Sequence, residues 1–196
     1  MSIIEKINAY EILDSRGIPT LLTQVILDNG VEGNAAVPSG ASTGIHEALE
    51  LRDKDKNRYK GKGVLNNIDF INSLVLDALQ GLDVRDQKNI DSNLLKLDGT
   101  KNKSKLGANT LLSVSLAVAK TASNLNNVDL YQYLGGINTN LLPIPLVNVI
   151  NGGAHAANNL DIQEYMLAPV GAKTFSQAIR WCCEIFFKLK ELLLSL

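Results

Sequence analysis

The residues best equipped for chemistry lie between Asn151 and Pro169, NGGAHAANNLDIQEYMLAP. A glycine pair, a histidine, adjacent asparagines, an aspartate and the pair Gln163-Glu164 crowd into this stretch. An apolar, β-branched run, Ile144 to Ile150, precedes it, and Met166 to Pro169 closes it. Polar groups squeezed between two apolar strands are costly to bury without partners. The stretch is therefore an ordinary loop or a site, and its place between strands favours a site at strand ends, as in barrel enzymes. On residue types alone, a hydrogen-bonded structural histidine at His155 and a rim carboxylate at Glu164 are the commoner outcomes. A second candidate is Ser39-Gly40-Ala41-Ser42-Thr43-Gly44, three hydroxyls and two glycines with no bulky side chain. Such a segment can approach a ligand closely and offer hydroxyl and backbone groups to phosphate or metal. It lacks the Gly-Lys-Ser/Thr ending of a nucleotide-binding loop, and on composition alone a plain connector is favoured.

Bulk properties narrow the function classes. Nineteen Lys+Arg against twenty Asp+Glu leave a formal charge of −1 over 196 residues. That gives no electrostatic case for nucleic acid or an anionic membrane as partner. The first residues carry acidic side chains and no apolar core, so no secretory signal is expected. No apolar run approaches the roughly 20 residues of a membrane helix. The two cysteines, Cys182 and Cys183, are adjacent, which makes neither a disulfide framework nor a metal site. A reducing, cytoplasmic setting is the expectation.

The elements that must position these residues follow from periodicity. Residues 3–37 read as three antiparallel strands. Leu21, Thr23, Val25 and Leu27 fall on one face, and Asp28-Asn29-Gly30 supplies a tight hairpin turn. The first strand is joined to the second by Asp14 to Thr20, a turn rich in hydrogen-bonding groups. The charged run His46 to Lys62 reads mainly as solvated surface. Val64, Ile68, Ile71, Val75, Ala78 and Leu82 mark one helix face. Asp86 caps a second helix that ends at Asp98-Gly99. The small, apolar segment from Gly107 to about Asn124 predicts a central helix covered on several sides. A meander with helices on one face is an α+β domain, placed at 1–135. Gly135-Gly136 marks a boundary. Strands near 144–150 and 162–168 follow. Then comes a helix capped by Thr174 and Gln177, with Phe175, Ile179, Cys182, Phe186, Leu189, Leu193 and Leu196 as its apolar face. Two strands and one uncovered helix leave edges and an apolar face exposed. Residues 140–196 are thus expected to begin a larger unit, and the chain on its own to aggregate or to bind a polypeptide that completes it.

Four blocks make the sequence similar to a known family. They are Asp14-Ser15-Arg16-Gly17 with Pro19-Thr20; Val37 to Gly44 followed by His46 to Asp53; Leu106-Gly107-Ala108-Asn109 with Val114 to Lys120; and Asn151-Gly152-Gly153-Ala154-His155 with Gln163-Glu164. In this order and spacing the chain resembles enolase, phosphopyruvate hydratase, over essentially its whole length. The resemblance implies an α+β N-terminal domain followed by the incomplete start of a TIM-type α/β barrel, at 140–196. It implies a glycolytic lyase interconverting 2-phosphoglycerate and phosphoenolpyruvate with two Mg2+ ions, a cytoplasmic setting, and a homodimer.

By motif match, His155 and Glu164 take the catalytic positions. His155 would lie near the substrate phosphate and leaving hydroxyl, and Glu164 would assist at the leaving-group side. Gly40, Ala41, His155, Gln163 and Glu164 would contact substrate, and Ser42 would be a ligand to the second Mg2+. Hard divalent cations suit the charge that builds on the substrate carboxylate as its neighbouring C–H proton leaves. Ile18 replaces a usual asparagine and Ala157 a frequent aspartate, departures that touch orientation around the site. The family's three acidic metal ligands, its lysine base and a second glutamate acid match no residue here. The resemblance therefore implies an isolated chain without catalysis, and leaves a non-catalytic binding or interaction module as the alternative.

Overall fold

A computed structural model describes residues 2–40 and 44–195. Two compact units emerge, Met1–Thr139 and Asn140–Leu196. In the first, β1 (Ile4–Leu13), β2 (Pro19–Leu27) and β3 (Glu32–Ala36) form an antiparallel meander in that order. Period-two alternation sets the register. Leu21, Thr23, Val25 and Leu27 are buried, while the residues between them face outward and are only partly covered. The β2–β3 hairpin turns at Gly30, φ +82, where Gly30 N donates to Leu27 O and the Asn29 carboxamide accepts from Val31 N. Positive φ explains why a glycine stands there.

The helices cover one face of this sheet. Leu65–Phe70 (α1), a π-turn at Ile71–Val75 and Leu76–Leu79 (α2) run on without a break. Ile71, Val75 and Leu79 are fully buried. A four-residue step overshoots an α-helical turn by about 40°, and the wider π-turn absorbs that drift. Leu79 rather than Ala78 completes the face for this reason, with Ile68 and Leu82 half-buried beside it. α3 (Gln87–Asp98) starts at Asp86, whose side chain accepts from Asn89 N at 3.1 Å, and ends at the left-handed Gly99. α4 (Ala108–Leu125) is the central helix, with buried residues on several sides. Its buried hydroxyls are paired: Thr23 Oγ1 donates to Ser113 Oγ, and Thr121 Oγ1 to Ala117 O. Gly33 permits the close approach of β3, since a Cβ there would lie 2.6 Å from Thr121 N. A short helix that periodicity did not predict, α5 (Leu130–Gly135), closes the unit.

In the second unit, β4 (Val147–Asn151) and β5 (Glu164–Leu167) pair antiparallel, joined through a single 3-10 turn at Gly153–His155. No crossover helix stands between them, and the connection folds back as a hairpin, the arrangement that antiparallel strands allow. α6 (Phe175–Leu194) follows. Half of its cap has the expected form: Thr174 Oγ1 accepts from Gln177 N at 3.1 Å, while Gln177 Oε1 reaches one residue past the cap and accepts from Lys173 N at 2.7 Å. Only Ala178 and Cys182 are buried along α6, and Phe175, Ile179, Phe186 and Leu193 are exposed. No closed barrel forms among the described residues.

Candidate functional site

β4 and β5 hold the polar stretch between their ends. A bulge at Val149 shifts the pairing from Asn148↔Met166 to Ile150↔Tyr165. Asn148 and Asn151 thereby share a side, and Asn148 Nδ2 donates to Asn151 Oδ1 at 2.5 Å. Beyond the strands the ladder continues: Gly152 N donates to Gln163 O at 2.9 Å and Gly153 N to Leu160 O at 2.7 Å. Asn158 Nδ2 ties the connection back to Asn151 O. Gly152 sits where a Cβ would come within 2.4 Å of Ile162 O, so the two chains approach as closely as they do because no side chain separates them.

This scaffold brings His155, Gln163 and Glu164 together. His155 Nδ1 lies 3.2 Å from Glu164 Oε1, and Gln163 Nε2 lies 2.6 Å from His155 Nε2. The neutral ring that satisfies both partners carries its proton on Nδ1, donates it to Glu164 and accepts from the Gln163 carboxamide at Nε2. The His155 and Glu164 side chains are 26% and 33% exposed. A hydrogen bond this accessible adds at most about 1 kcal/mol to stability, so its consequence is orientation: a carboxylate and an imidazole share one proton at the edge of the unit. A proton held this way can be passed to, or taken from, a group bound alongside.

The other candidate stretch lies in the first unit. Pro38, Ser39 and Gly40 follow β3, and Gly44 N donates to Glu47 Oε2 at 2.8 Å. A cleft of about 450 Å³ runs alongside, lined by Val37, Gly40, Glu47, Glu50, Asn109 and neighbours. Ser39 is gripped by two arginines. Arg16 Nη2 donates to its carbonyl at 2.8 Å, and Arg52 Nη2 to its hydroxyl at 2.7 Å. Arg16 belongs to a turn organised by Asp14, whose Oδ1 accepts from Arg16 N and Ile18 N. The Ile18 N–H, opposed by partial desolvation and helped by Arg16, holds the Asp14 carboxyl below the usual carboxylate range. The Asp-x-Arg spacing of that turn was the available sequence signal for this grip.

The charged run from His46 to Lys62 is also more than solvated surface. Arg52 donates to Pro19 O and Lys62 O. Asp53 accepts from Leu65 N and Asn66 N, capping α1 from a distance in sequence. Arg58 grips Glu11 with both terminal nitrogens, and that hydrogen bonding pulls the Glu11 carboxyl below its ordinary value despite desolvation. Asn109 joins the run to α4: its Oδ1 accepts from Leu51 N and its Nδ2 donates to Leu51 O.

Comparison with known families decides what the two units are. The family described as enolase, N-terminal domain, matches residues 4–134, and enolase, C-terminal TIM barrel domain, matches residues 139–195. This chain belongs to the enolase family. The fold agrees with that membership: a three-stranded antiparallel sheet with helices, then the start of a barrel domain. Of the residues singled out by enolase resemblance, His155, Gln163 and Glu164 form one cluster, and Gly40 lines the cleft of the first unit. Ala41 and Ser42 lie outside the described residues. Among the described residues no three His, Cys, Asp or Glu side chains converge as a metal site would require. A protein-held hard dication takes several oxygen ligands at close range, so the described residues do not fit the magnesium that enolases use. None of their helices is long and apolar enough to cross a membrane.

Proposed function

We propose that this chain carries one wall of a phosphopyruvate hydratase site, from a cytoplasmic glycolytic lyase that interconverts 2-phosphoglycerate with phosphoenolpyruvate and water. The observation that carries this reading is the His155–Gln163–Glu164 cluster in a chain matched on both units by enolase families. In the dehydration direction a C–H proton leaves beside the substrate carboxylate, and a hydroxyl leaves the neighbouring carbon with a proton, as water. Glu164, sharing the Nδ1 proton of His155, serves the leaving hydroxyl. His155 also orients the substrate phosphate, and Gln163 contacts substrate through its carboxamide. Gly40 and Ala41 are the residues assigned to substrate from the other stretch, and Ser42 is the residue assigned to the second magnesium. Homodimerisation is part of the same reading.

No residue here matches the lysine that removes the C–H proton or the acidic ligands of the first magnesium. The 196-residue chain alone is therefore expected to give no turnover. The ultraviolet absorbance of phosphoenolpyruvate, followed with excess Mg2+ and 2-phosphoglycerate, checks this; turnover above a metal-only blank overturns it. Adding a polypeptide that carries the later strands of an enolase barrel is expected to restore turnover, and His155→Ala to abolish what is restored. Absence of any restoration counts against the enzymatic reading. It would favour a second one, a non-catalytic interaction module, which the exposed apolar face of α6 supports.

A further inference from the structure

Two guanidinium groups with no part in the proposed chemistry converge on Ser39. Arg16 Nη2 reaches the Ser39 carbonyl at 2.8 Å, and Arg52 Nη2 the Ser39 hydroxyl at 2.7 Å. Each guanidinium is held by further hydrogen bonds of its own. Asp14 Oδ2 accepts from Arg16 Nε at 3.1 Å and Nη2 at 3.0 Å. Arg52 is held by Glu50 Oε1 at 2.5 Å, Pro19 O at 2.6 Å and Lys62 O at 2.8 Å. Arg52 is only 16% exposed, so water competes poorly with its four hydrogen bonds. A guanidinium stays charged at every physiological pH and presents its donors in a rigid plane. The two arms approach from different stretches of chain and take different atoms of one residue, so together they fix both the position and the rotation of Ser39.

We infer that Arg16 and Arg52 are positioning residues for Gly40, the residue next to Ser39 and the first one assigned to substrate. The inference rests on the enolase reading for what Gly40 touches, and on the hydrogen bonds alone for how it is held. Arg52 sets the Ser39 hydroxyl, Arg16 sets the carbonyl of the Ser39–Gly40 peptide, and the plane of that peptide sets the direction in which Gly40 departs. Lysine cannot stand in for Arg52, because one ammonium cannot serve four acceptors spread around a planar fork.

Backbone 15N relaxation on deuterated protein tests the inference without substrate or metal, so its failure is separable from failure of the enolase reading. The Gly40 amide of the unaltered chain is expected to show an order parameter near ~0.85, and the Arg16→Ala/Ser39→Ala double variant one below ~0.6. Ser39→Thr, which keeps the hydroxyl, is expected to stay near the unaltered value when Arg16 is intact. The Val25 amide, deep in β2, reports in each variant whether the sheet is intact. Should Arg16→Ala disturb the sheet, Ser39→Ala set against Ser39→Thr carries the test. A Gly40 already mobile in the unaltered chain overturns the inference. So does one that stays above ~0.6 when both arms are removed, or an equal response to Ser39→Ala and Ser39→Thr.

Discussion

Replacing Gly152 with alanine tests most directly how the His155 cluster is held. Gly152 has φ −145, extended backbone open to any residue, so the cost of a side chain there is one of space alone. The new Cβ would meet Ile162 O at 2.4 Å, Leu160 Cβ at 2.7 Å and Leu160 O at 2.8 Å. Two of those three atoms are backbone and cannot swing aside. The connection between β4 and β5 must open, and the bonds in the way are Gly152 N to Gln163 O and Gly153 N to Leu160 O. Overpacking of this kind costs about 1–3 kcal/mol. A weakened backbone bond adds about 1 kcal/mol, and the stiffer unfolded chain offsets about 0.4–1 kcal/mol. The net is about 2 kcal/mol against the local structure.

Two measurements read that figure. Amide exchange at Gly153, protected by its bond to Leu160 O, should accelerate roughly thirtyfold for about 2 kcal/mol. The imidazole nitrogens of His155, observed by NMR at neutral pH, should report a dominant Nδ1–H tautomer in the unaltered chain. In Gly152→Ala they should report a mixture, because moving Gln163 and Glu164 releases both ring nitrogens. Gly171→Ala is the control, since a Cβ at Gly171 meets nothing within 4 Å. Unchanged exchange and an unchanged tautomer in Gly152→Ala would refute the reasoning, as would an equal loss in Gly171→Ala.

Asp98 is buried and accepts from Thr100 N and Oγ1 and from Leu106 N. Burial pushes its carboxyl up, but those donors outweigh it and leave the pKa below the ordinary value. A depressed carboxylate stabilises the fold above its unfolded pKa of about 3.9 and loses that contribution as pH falls through the folded value. Stability should therefore drop below about pH 4. Asp98→Asn should cost about 2 kcal/mol at neutral pH in denaturant melts and flatten that acid limb; an unchanged limb counts against Asp98 as its source. For α6, sedimentation should show the mass of the chain rising with concentration, and Phe186→Lys/Leu193→Lys should shift it toward monomer. A concentration-independent monomer in the unaltered chain sinks that expectation.

Sequence patterns revealed most of the fold because the signals were local. Alternation along β2, the Asn29-Gly30 turn, the Asp86 cap, Gly99 and the Thr174–Gln177 cap each involve residues within a few positions of one another, and each sits as periodicity and capping rules require. What escaped was non-local. The hub at Arg52 joins Pro19, Ser39, Glu50 and Lys62. Arg58 reaches across to Glu11, and Asp53 caps a helix that starts twelve residues later. In sequence these are charges in a charged run, with nothing to separate a solvated side chain from a clamped one. The π-turn at Ile71–Val75 was equally hidden, since four-residue spacing of apolar residues fits a plain helix nearly as well. α5 is six residues long and has no buried residue, so it lacks the apolar stripe by which a helix is recognised.

The candidate site itself divides along the same line. His155, Gln163 and Glu164 lie within nine residues of one another and are brought together by one hairpin connection, so their geometry needs no closed barrel. That explains how the cluster is formed in a unit whose only buried apolar residues, among those described, are Ala178 and Cys182. Hydrogen-bonded strands and a capped helix satisfy the backbone there, but stability comes chiefly from apolar burial, which this unit hardly provides. The first unit is the opposite case: its interior is dense and its hydroxyls are paired, while its candidate residue Gly40 depends on arginine contacts spanning more than a dozen positions. Loss of packing should consequently affect the candidate residues of the two units differently. Heating or mild denaturant should melt the support of α6 first and leave Gly40 anchored, because the bonds that fix Ser39 are made to a sheet and loops whose core is complete.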